Sequence, residues 1–586
     1  MKAALRSLLR RCYRGYPLPS DDTRSFSGVA GKPQEYADCC ASRHSIPIAN
    51  VNMLEQSGQG GFRESLRHPL LNGWGKELNA MEGNGRKIVV VGAGIAGLCA
   101  AVYGLKCGYE VEVLEMHDMA GGLAMSWKRG AYRFETCLHW LVGSRPGGDF
   151  HEQWQEVCDI DQLKFVNQDE FVRLETEDGD TLRLYTDVDR LEAELLRRAP
   201  QNASAIMEFT RAVRALGKFR MLDPAGGLKE NWLNMLRDIP VFPLLGKLSK
   251  ISGADYGKQF QDPLLRRFFT NGDIGKMSAI AMVFSLGWMN VGNAGYCIGG
   301  AQSLIRLIEE KIASLGGKIR FNARVERVIV SNDTAVGVEL EGGERVMADW
   351  VISAADGRTT IFEMLDGKYV DREMRKRYDE RELFASYLQV SLGVAKDLKD
   401  EPAMLSRILA SPLVVDPSTE IDSVSFRIFH FDPTFAPPGK TAVTSTLPTR
   451  NFGYWNDLRK MDPGGYHKEK QRVAEAVIDL LDKRIPGIRE AIEVVDVSTP
   501  ATVYRYTGNW KGTMEGWLVE PGDSFKPLRS TLPGLKRFVM AGQWVMPGGG
   551  LPSGPMTAKP AVKWICKQDH VHFDVLTEPE AETAAV

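Results

Sequence analysis

The stretch KIVVVGAGIAG, residues 87–97, decides the fold of this chain. It opens with KIVVV, a short apolar run of the kind found in buried parallel strands. Gly92, Gly94 and Gly97 then fit the spacing G-x-G-x-x-G, and a helical pattern follows them. The first glycine permits a tight turn, the second lets backbone approach a pyrophosphate, and the third lets helix and strand pack closely. The stretch therefore predicts a strand, a turn and a helix whose N-terminus faces an anion.

The segment after this helix indicates which dinucleotide is bound. A second strand, EVEVL at 110–114, alternates polar and apolar residues and stops at Glu115. A carboxylate at this position accepts hydrogen bonds from a ribose diol, and it argues against a 2′-phosphate. FAD or NAD therefore fits the motif, and NADP does not. The order strand, glycines, helix, strand and acid predicts a Rossmann-type α/β domain.

Size and composition are those of an ordinary globular protein. The chain has 586 residues, of which 44% are hydrophobic and 25% are charged. Its 73 basic and 75 acidic residues leave a formal net charge of -2, so nothing global favours nucleic acid as a partner. The nine cysteines include no C-x-x-C pair, and we predict no metal site. No apolar run reaches the roughly 18 residues of a membrane-spanning helix.

Residues 1–85 differ in character from the rest, and we predict an N-terminal extension that is disordered or a leader. Residues 1–16 contain a lysine and four arginines, with leucines close by, before the first acid at Asp21. An organellar transit peptide and a surface-binding amphipathic helix both have this pattern, and a leader without function is the alternative. We predict a cytoplasmic or peripheral membrane protein, with organellar targeting by residues 1–16 left open.

The segment after Glu115 distinguishes FAD from NAD. An NAD-binding domain continues into a further helix and strand, whereas this chain has a turn at Gly121-Gly122 and then a predicted hairpin around Arg129-Gly130. The sequence GGLA at 121–124, with this hairpin, resembles the second flavin motif of the FAD-dependent amine oxidase and phytoene desaturase superfamily. Many relatives carry an arginine where Leu123 stands, and its absence argues against the amine oxidase branch.

A second resemblance lies near the C-terminus, in FVMAGQWVMPGGGLPSGP at 538–555. In the last motif of the superfamily, a strand brings a pair of residues to the ribityl phosphate, and a glycine-rich turn leads into a helix beneath the flavin ring. Gly542 and Gln543 match the pair, although an amide replaces the usual acid. The turn PGGGLP at 547–552 is closest in form to phytoene desaturases and carotenoid isomerases.

Together these motifs resemble the FAD-dependent phytoene desaturase, carotenoid isomerase and retinol saturase-like family of the flavin amine oxidase superfamily. The resemblance implies non-covalent FAD, because no cysteine lies in the 547–552 turn. It also implies that Val325 lies by the adenine. The implied cofactor-binding residues are Gly92, Gly94, Ile95, Ala96, Gly97, Glu115, Met116, Gly121, Gly122, Leu123, Ala124, His139, Trp140, Val325, Ala354, Gly542, Gln543, Gly549, Gly550, Leu551 and Pro552.

The resemblance implies the fold class as well. We expect an α/β protein with a discontinuous, three-layer FAD/NAD(P)-binding Rossmann-type domain, into which a mixed-sheet substrate domain with helices is inserted. The predicted flavin segments are 86–150, 296–380 and 526–570, the substrate segments are 151–295 and 381–525, and 571–586 is a tail.

Local patterns within the substrate segments add detail. Residues 187–216 are predicted to be helical, and 386–394, 424–432 and 441–449 are predicted strands of one mixed sheet. The stretch 230–251 combines bulky apolar residues with lysines. It is either a helical lid packed on its own domain or a membrane patch, whose apolar side chains enter lipid while lysines meet headgroups.

The resemblance implies an FAD-dependent oxidoreductase that acts on a long apolar polyene or isoprenoid. Desaturation, saturation and cis-trans isomerisation are all compatible, with hydride exchanged at flavin N5. A flavin amine oxidase and a prenyl-binding escort of the GDP-dissociation-inhibitor type are the alternatives. The electron acceptor stays open among a quinone, oxygen and NAD.

No side-chain acid or base is predicted, because flavin performs the redox chemistry itself. Arg505 and Tyr506 lie in a segment, 499–517, that resembles one found near the flavin in carotenoid isomerases and retinol saturases. For Tyr506, an ordinary core aromatic is the alternative. His139 is the third candidate, and for it a hydrogen-bonded structural histidine is the alternative.

Overall fold

The computed structural model describes residues 85–219, 239–523, 528–573 and 575. The predicted N-terminal extension up to residue 84, the first part of the 230–251 stretch and nearly all of the tail from residue 574 lie outside the described residues. Within the described ranges, no helix is both long and apolar enough to cross a membrane.

Strands and helices alternate along most of the chain. The strands are β1 (Lys87–Val91), β2 (Glu110–Leu114), β3 (Ser126–Arg129), β4 (Tyr132–Glu135), β5 (Leu141–Val142), β6 (Phe165–Val166), β7 (Glu170–Thr176), β8 (Thr181–Tyr185), β9 (Ala294–Cys297), β10 (Lys318–Arg320), β11 (Val325–Ser331), β12 (Thr334–Leu340), β13 (Arg345–Met347), β14 (Trp350–Ser353), β15 (Ser386–Val394), β16 (Met404–Asp416), β17 (Thr419–Ile428), β18 (Thr441–Thr449), β19 (Ile492–Ser498) and β20 (Phe538–Met540). The α-helices are α1 (Ile95–Lys106), α2 (Asp149–Gln155), α3 (Val188–Arg198), α4 (Ala203–Gly217), α5 (Phe242–Leu248), α6 (Gly253–Gly257), α7 (Pro263–Thr270), α8 (Gly272–Lys276), α9 (Ile280–Asn290), α10 (Ala301–Ser314), α11 (Arg372–Glu380), α12 (Phe452–Met461), α13 (Pro463–Arg484), α14 (Pro500–Thr507) and α15 (Ser553–Asp569).

A parallel sheet unites three distant parts of the chain. Its strands lie in the order β10-β2-β1-β14-β20. Val89 pairs with Val351, and Val351 pairs with Phe538, so strands from the beginning, middle and end of the chain are direct neighbours. The predicted fold class, a discontinuous Rossmann-type α/β domain, is confirmed.

Each face of this sheet is covered by a different layer, as the apolar sequence of β1 predicts. Ile88 and Val90 pack into a core with residues of α1, α10 and α15. Val89 and Val91 point to the opposite face, where they pack with residues of the antiparallel β11-β12-β13 sheet. Successive side chains of a strand point to opposite faces, so one apolar run supplies both cores.

A second, mixed sheet has the strand order β19-β15-β18-β17-β16-β7-β8. Its neighbours are antiparallel except β16 and β7, which pair in parallel. β15 and β18 coincide with the predicted strands at 386–394 and 441–449. The third predicted strand is shifted, because β17 ends at Ile428 and the chain then turns, with Asp432 N–H donating to the Phe429 carbonyl at 3.3 Å.

The predicted helical stretch 187–216 is two helices. α3 ends at Arg198, a short 3-10 turn spans Pro200–Asn202, and α4 begins at Ala203. Proline lacks the N–H that an α-helix needs at an interior position, so the pattern is interrupted there.

Candidate functional site

A cleft lies at the carboxyl ends of β1, β14 and β20, where open parallel sheets bind ligands. It encloses about 1610 Å³ of empty space, part of it open to solvent. Three separate chain segments supply its walls. The predicted cofactor-binding residues that line it are Gly92, Gly94, Ile95, Ala96, Glu115, Met116, Gly121, Gly122, Leu123, Ala124, His139, Val325, Ala354, Gly542, Gln543, Gly550 and Leu551.

The first glycine turn has the conformation that an anion site requires. Gly92 has a φ of 95°, a left-handed value that favours glycine. A Cβ on Gly97 would lie 1.9 Å from the Gly92 carbonyl oxygen, whereas a Cβ on Gly94 would meet no atom within 4 Å. The N–H groups in the first turn of α1 have no intrahelical acceptor, and Gly94, Ile95 and Ala96 border the cleft. This end of α1 can therefore bind a pyrophosphate.

Glu115 is held in place at the end of β2. Its Oε2 accepts a hydrogen bond from Ala93 N–H at 2.7 Å, and its Oε1 accepts one from His117 N–H at 2.9 Å. Burial raises the pKa of the carboxyl, while the two backbone donors act in the opposite direction. Each oxygen has a second lone pair, so the carboxylate can still accept hydrogen bonds from a ribose diol.

The second glycine pair packs directly on the first turn. Gly121 N–H donates to the Ala93 carbonyl at 2.9 Å, and Gly121 has a φ of 130°. A Cβ on Gly122 would lie 3.2 Å from Gly94 Cα. The two motifs that the sequence places apart thus form one continuous backbone wall.

The C-terminal motif closes the cleft from the other side. A Cβ on Gly542 would lie 3.3 Å from the Ala96 Cβ, so β20 delivers this glycine against the start of α1. Gln543 Nε2 donates to Asn509 Oδ1 at 2.8 Å, and both residues line the cleft. Asn509 therefore orients the Gln543 amide and leaves its Oε1 for a bound group.

Four of the predicted cofactor residues do not line this cleft: Gly97, Trp140, Gly549 and Pro552. Gly97 lies within α1, on the side that packs against Gly92, and Gly549 packs on Glu515, whose carbonyl oxygen would be 2.8 Å from a Cβ at 549. Pro552 caps the start of α15. Trp140 lines a second cleft. Their contact with the cofactor stays a prediction.

The three weak catalytic candidates have different surroundings. Arg505 and Tyr506 do not line the first cleft; the guanidinium lies 4.4 Å from the centre of the tyrosine ring, which in turn packs on His117. His139 borders both clefts. Burial and the neighbouring charge of Arg427 lower its pKa to about 3, so the imidazole is neutral.

Arg427 fixes the backbone around His139. It donates to the His139 carbonyl at 2.8 Å and also to the Leu138 carbonyl. The guanidinium lies close to buried Glu135, which accepts hydrogen bonds from Tyr296 and from Ala301 N–H. Burial raises the pKa of Glu135 to about 7, with Arg427 opposing the rise.

The second cleft encloses about 1130 Å³ of empty space beside the mixed sheet. Trp140, Phe171 and Phe268 form a row of aromatic rings along it, with centroids 5.6 Å and 6.0 Å apart. Its other apolar lining residues are Val166, Val172, Leu174, Ile274, Met289, Ala294, Tyr296, Ala403, Met404, Ile408 and Phe431.

Sequence reasoning missed three carboxyl groups that line the first cleft: Asp356, Glu515 and the exposed Glu363, whose Oε1 accepts a hydrogen bond from Arg358 at 2.9 Å. Asp356 accepts hydrogen bonds from Thr359 N–H and Trp510 N–H, both at 2.8 Å, and burial raises its pKa to about 6. Its position just beyond β14, at the carboxyl end of a parallel strand, is a signal that could have found it. Nothing in the local sequence distinguishes Glu515.

The geometry of the first cleft fits FAD, with a helix N-terminus for the pyrophosphate, Glu115 for a ribose and a glycine-rich turn at the far wall. Comparison with known proteins agrees. The family model described as flavin containing amine oxidoreductase matches residues 95–563. The chain belongs to this family. It is an FAD-dependent oxidoreductase, and the predicted family resemblance is confirmed.

Individual proteins are similar to this chain over most of its length. The phytoene desaturase (neurosporene-forming) of Rhodobacter capsulatus is 26% identical over 503 residues, which cover 80% of this chain and 92% of the relative. The chloroplastic prolycopene isomerase of Daucus carota is 23% identical, with 72% of this chain and 71% of the relative covered. The solved structure of cyclohexylamine oxidase from Brevibacterium oxydans has a TM-score of 0.53 at 15% identity, with 83% of this chain and 99% of that chain covered, a likeness that shows the fold alone.

Proposed function

We propose that this oxidoreductase acts on a long apolar polyene or isoprenoid, which it desaturates, saturates or isomerises. Bound FAD supplies hydride transfer at its ring, and the chain provides orientation and a dry cavity. The observation that carries the proposal is the mostly apolar second cleft, which shares the lining residue His139 with the FAD cleft. The relatives named as phytoene desaturase and prolycopene isomerase support the same class of substrate.

The charges around the second cleft favour a polyene over an amine. Among its described lining residues, Glu170 is the one carboxylate that could pair with an ammonium group. Both Glu170 oxygens already accept hydrogen bonds from Arg173, at 2.8 and 2.9 Å. Arg427, which lines this cleft and donates to the His139 carbonyl, carries a positive charge that would repel an amine. A prenyl-binding escort is disfavoured because such a protein needs no complete FAD cleft.

The binding residues divide among the parts of the cofactor. We propose that the turn from Gly92 to Ala96 binds the pyrophosphate and that Glu115 binds the adenosine ribose. Val325 is assigned to the adenine end and Gln543 to the ribityl chain. The segment boundaries 86–150, 296–380 and 526–570 for the flavin domain, and 151–295 and 381–525 for the substrate domain, are part of the same proposal.

The deciding experiment is anaerobic incubation of the purified holoenzyme with carotenes, retinoids and amines, followed by flavin absorbance. We expect bleaching, or isomerised product, with at least one polyene and with no amine. Re-oxidation by a quinone, by oxygen and by NAD in separate cuvettes then identifies the electron acceptor. Reduction by amines and by none of the polyenes would contradict the proposal.

Contact with a membrane surface is a further part of the proposal. Ile239, in the 3-10 turn before α5, and Phe242, the first residue of α5, are 55% and 39% exposed, which supports a site where apolar side chains enter lipid. Sedimentation with phospholipid vesicles measures it. We expect Phe242→Ser to reduce the bound fraction; an unchanged fraction would show that α5 does not contact lipid.

A further inference from the structure

We propose that Glu515 is the catalytic acid-base group of this enzyme and exchanges a proton with the substrate carbon next to the one that exchanges hydride. The inference rests on the proposed function, because it requires chemistry at carbon–hydrogen bonds. Glu515 lines the FAD cleft beside the glycine-rich turn of the C-terminal motif. A Cβ on Gly550 would lie 4.0 Å from Glu515 Oε1, and the backbone of Gly549 packs on the Glu515 carbonyl.

Hydrogen bonds fix the backbone on both sides of Glu515, so its side chain starts from a defined point beside the cleft. Met514 N–H donates to the Ala385 carbonyl at 3.3 Å, and Phe384 N–H donates to the Gly516 carbonyl at 2.9 Å. These bonds tie the segment to the chain just before β15. The fixed backbone keeps the carboxyl within reach of the cleft, where correct positioning of a reacting group lowers the barrier.

Glu515 differs from the other carboxyl groups of the cleft in its hydrogen bonding. Both oxygens of Glu115 and both oxygens of Asp356 accept bonds from backbone N–H groups. The exposed Glu363, which also lines the cleft, pairs with Arg358 at 2.9 Å. The Glu515 carboxyl has no hydrogen-bond or ion-pair partner among the described residues. It is therefore the carboxyl of this cleft whose oxygens are available to a guest molecule.

Burial brings the pKa of Glu515 close to neutral pH. Burial, with a smaller contribution from Asp273 of α8, raises the pKa of Glu515 to about 7. Asp273 is itself held by Arg450 at 2.6 Å, and neutral His139 and the buried Cys137 thiol line the same wall. Acid-base catalysis is most efficient when the pKa lies near the working pH.

The proposed step is balanced. In desaturation, two C–H bonds on neighbouring carbons break and one carbon–carbon π bond forms. One hydrogen leaves with its electron pair to oxidised flavin, which is reduced by two electrons. The other leaves as a proton to the Glu515 carboxylate, which releases it to solvent. In the saturating direction, protonated Glu515 would donate the proton to one carbon of the double bond, and hydride from reduced flavin would reach the other.

The test compares holoenzymes with Glu515→Gln, Glu515→Asp and, as a matched control, Glu520→Gln. Glu520 is exposed and lies outside the cleft. A first readout needs no substrate: the flavin absorbance of the resting enzyme is titrated with pH. We expect wild type and Glu520→Gln to titrate with a midpoint near 7 and Glu515→Gln to lose this transition while FAD stays bound.

The second readout is the pH profile of kcat/KM for desaturation. In wild type, activity should rise with pH through about 7, because the base must be ionised. We expect Glu515→Gln to abolish this rise with pH and to lower kcat/KM about 100-fold, within the usual contribution of a general base. Glu515→Asp should retain a rise of kcat/KM with pH, with its midpoint at a different pH, and part of the wild-type value.

The outcomes separate the two proposals. An unchanged rate and an unchanged rise with pH in Glu515→Gln would overturn the role of Glu515 while leaving the polyene substrate in place. Loss of the resting-state titration in Glu515→Gln, with no turnover of any polyene by wild type, would support the position of the acid-base group and refute the substrate proposal.

Discussion

Alanine at Gly94 and alanine at Gly97 test the two roles of the first glycine turn separately. A Cβ at Gly94 meets no atom within 4 Å, and the residue has an ordinary φ of -68°. A Cβ at Gly97 would lie 1.9 Å from the Gly92 carbonyl oxygen, where ordinary contact begins at 3.4 Å. The first variant therefore adds a methyl group to the cleft, and the second forces α1 away from β1.

The magnitudes follow from these distances. Gly94→Ala should leave the apo protein as stable as wild type, or more stable by about 0.5 kcal/mol, because the unfolded chain loses freedom. It should weaken FAD binding at least tenfold, about 1.4 kcal/mol, because backbone can no longer approach the pyrophosphate. Gly97→Ala should destabilise the apo protein by about 3 kcal/mol, the upper part of the range for overpacking, since the obstructing atom belongs to backbone.

The assay pairs chemical denaturation of the flavin-free protein with FAD titration by fluorescence quenching. Gly94→Ala should lower the affinity for FAD without lowering the free energy of unfolding, whereas Gly97→Ala should lower the free energy of unfolding. Wild-type FAD affinity in Gly94→Ala would refute the placement of the pyrophosphate at this helix terminus. Wild-type stability in Gly97→Ala would refute the close packing of α1 on β1.

Three further changes probe other parts of the molecule. Gln543→Ala leaves the Asn509 acceptor unpaired and should weaken FAD binding by about 1–2 kcal/mol, and Gln543→Asp should also alter it; unchanged flavin retention in both variants would move this contact elsewhere. Burial raises the pKa of Asp356 to about 6. Its contribution to the free energy of unfolding is therefore present at low pH and is lost as pH rises from about 4 through about 6, by up to about 3 kcal/mol. Asp356→Asn should flatten this part of the stability-pH curve, and an unaltered slope would contradict the assignment. Trp140→Ala should weaken polyene binding about tenfold, through loss of an aromatic wall, without changing FAD affinity, and a shift in FAD affinity instead would assign Trp140 to the cofactor.

The strands and turns of the flavin half were predictable because their signals are local. β1, β2 and the hairpin around Arg129-Gly130 lie where apolar runs and glycines place them. The predicted elements differ from the structure where a proline or a turn of the chain interrupts an otherwise regular pattern. The proline at 200 divides a helical stretch into α3 and α4, and β17 ends before the apolar run that continues through Phe429 and Phe431.

Of the site residues, only those in motifs of regularly spaced glycines and acids could be predicted from the sequence. Gly92, Glu115 and Gly542 belong to motifs whose residue types follow from backbone conformation and cofactor charge. Asp356 and Glu515 stand in irregular segments. The position of Asp356 just after β14 could have indicated it, whereas nothing in the local sequence indicates Glu515. Their perturbed pKa values come from burial, a property of the assembled structure.

The sequence by itself determined the glycine turns, the parallel strands and hence the cofactor class, because a left-handed φ or a buried strand leaves its mark within a few residues. Only the tertiary structure decided that Gly94, Asp356, Glu515 and Gln543 share one cleft and that a mostly apolar second cleft shares the lining residue His139 with it. These residues come from segments far apart in the chain, and the β1-β14-β20 pairing brings their ends together.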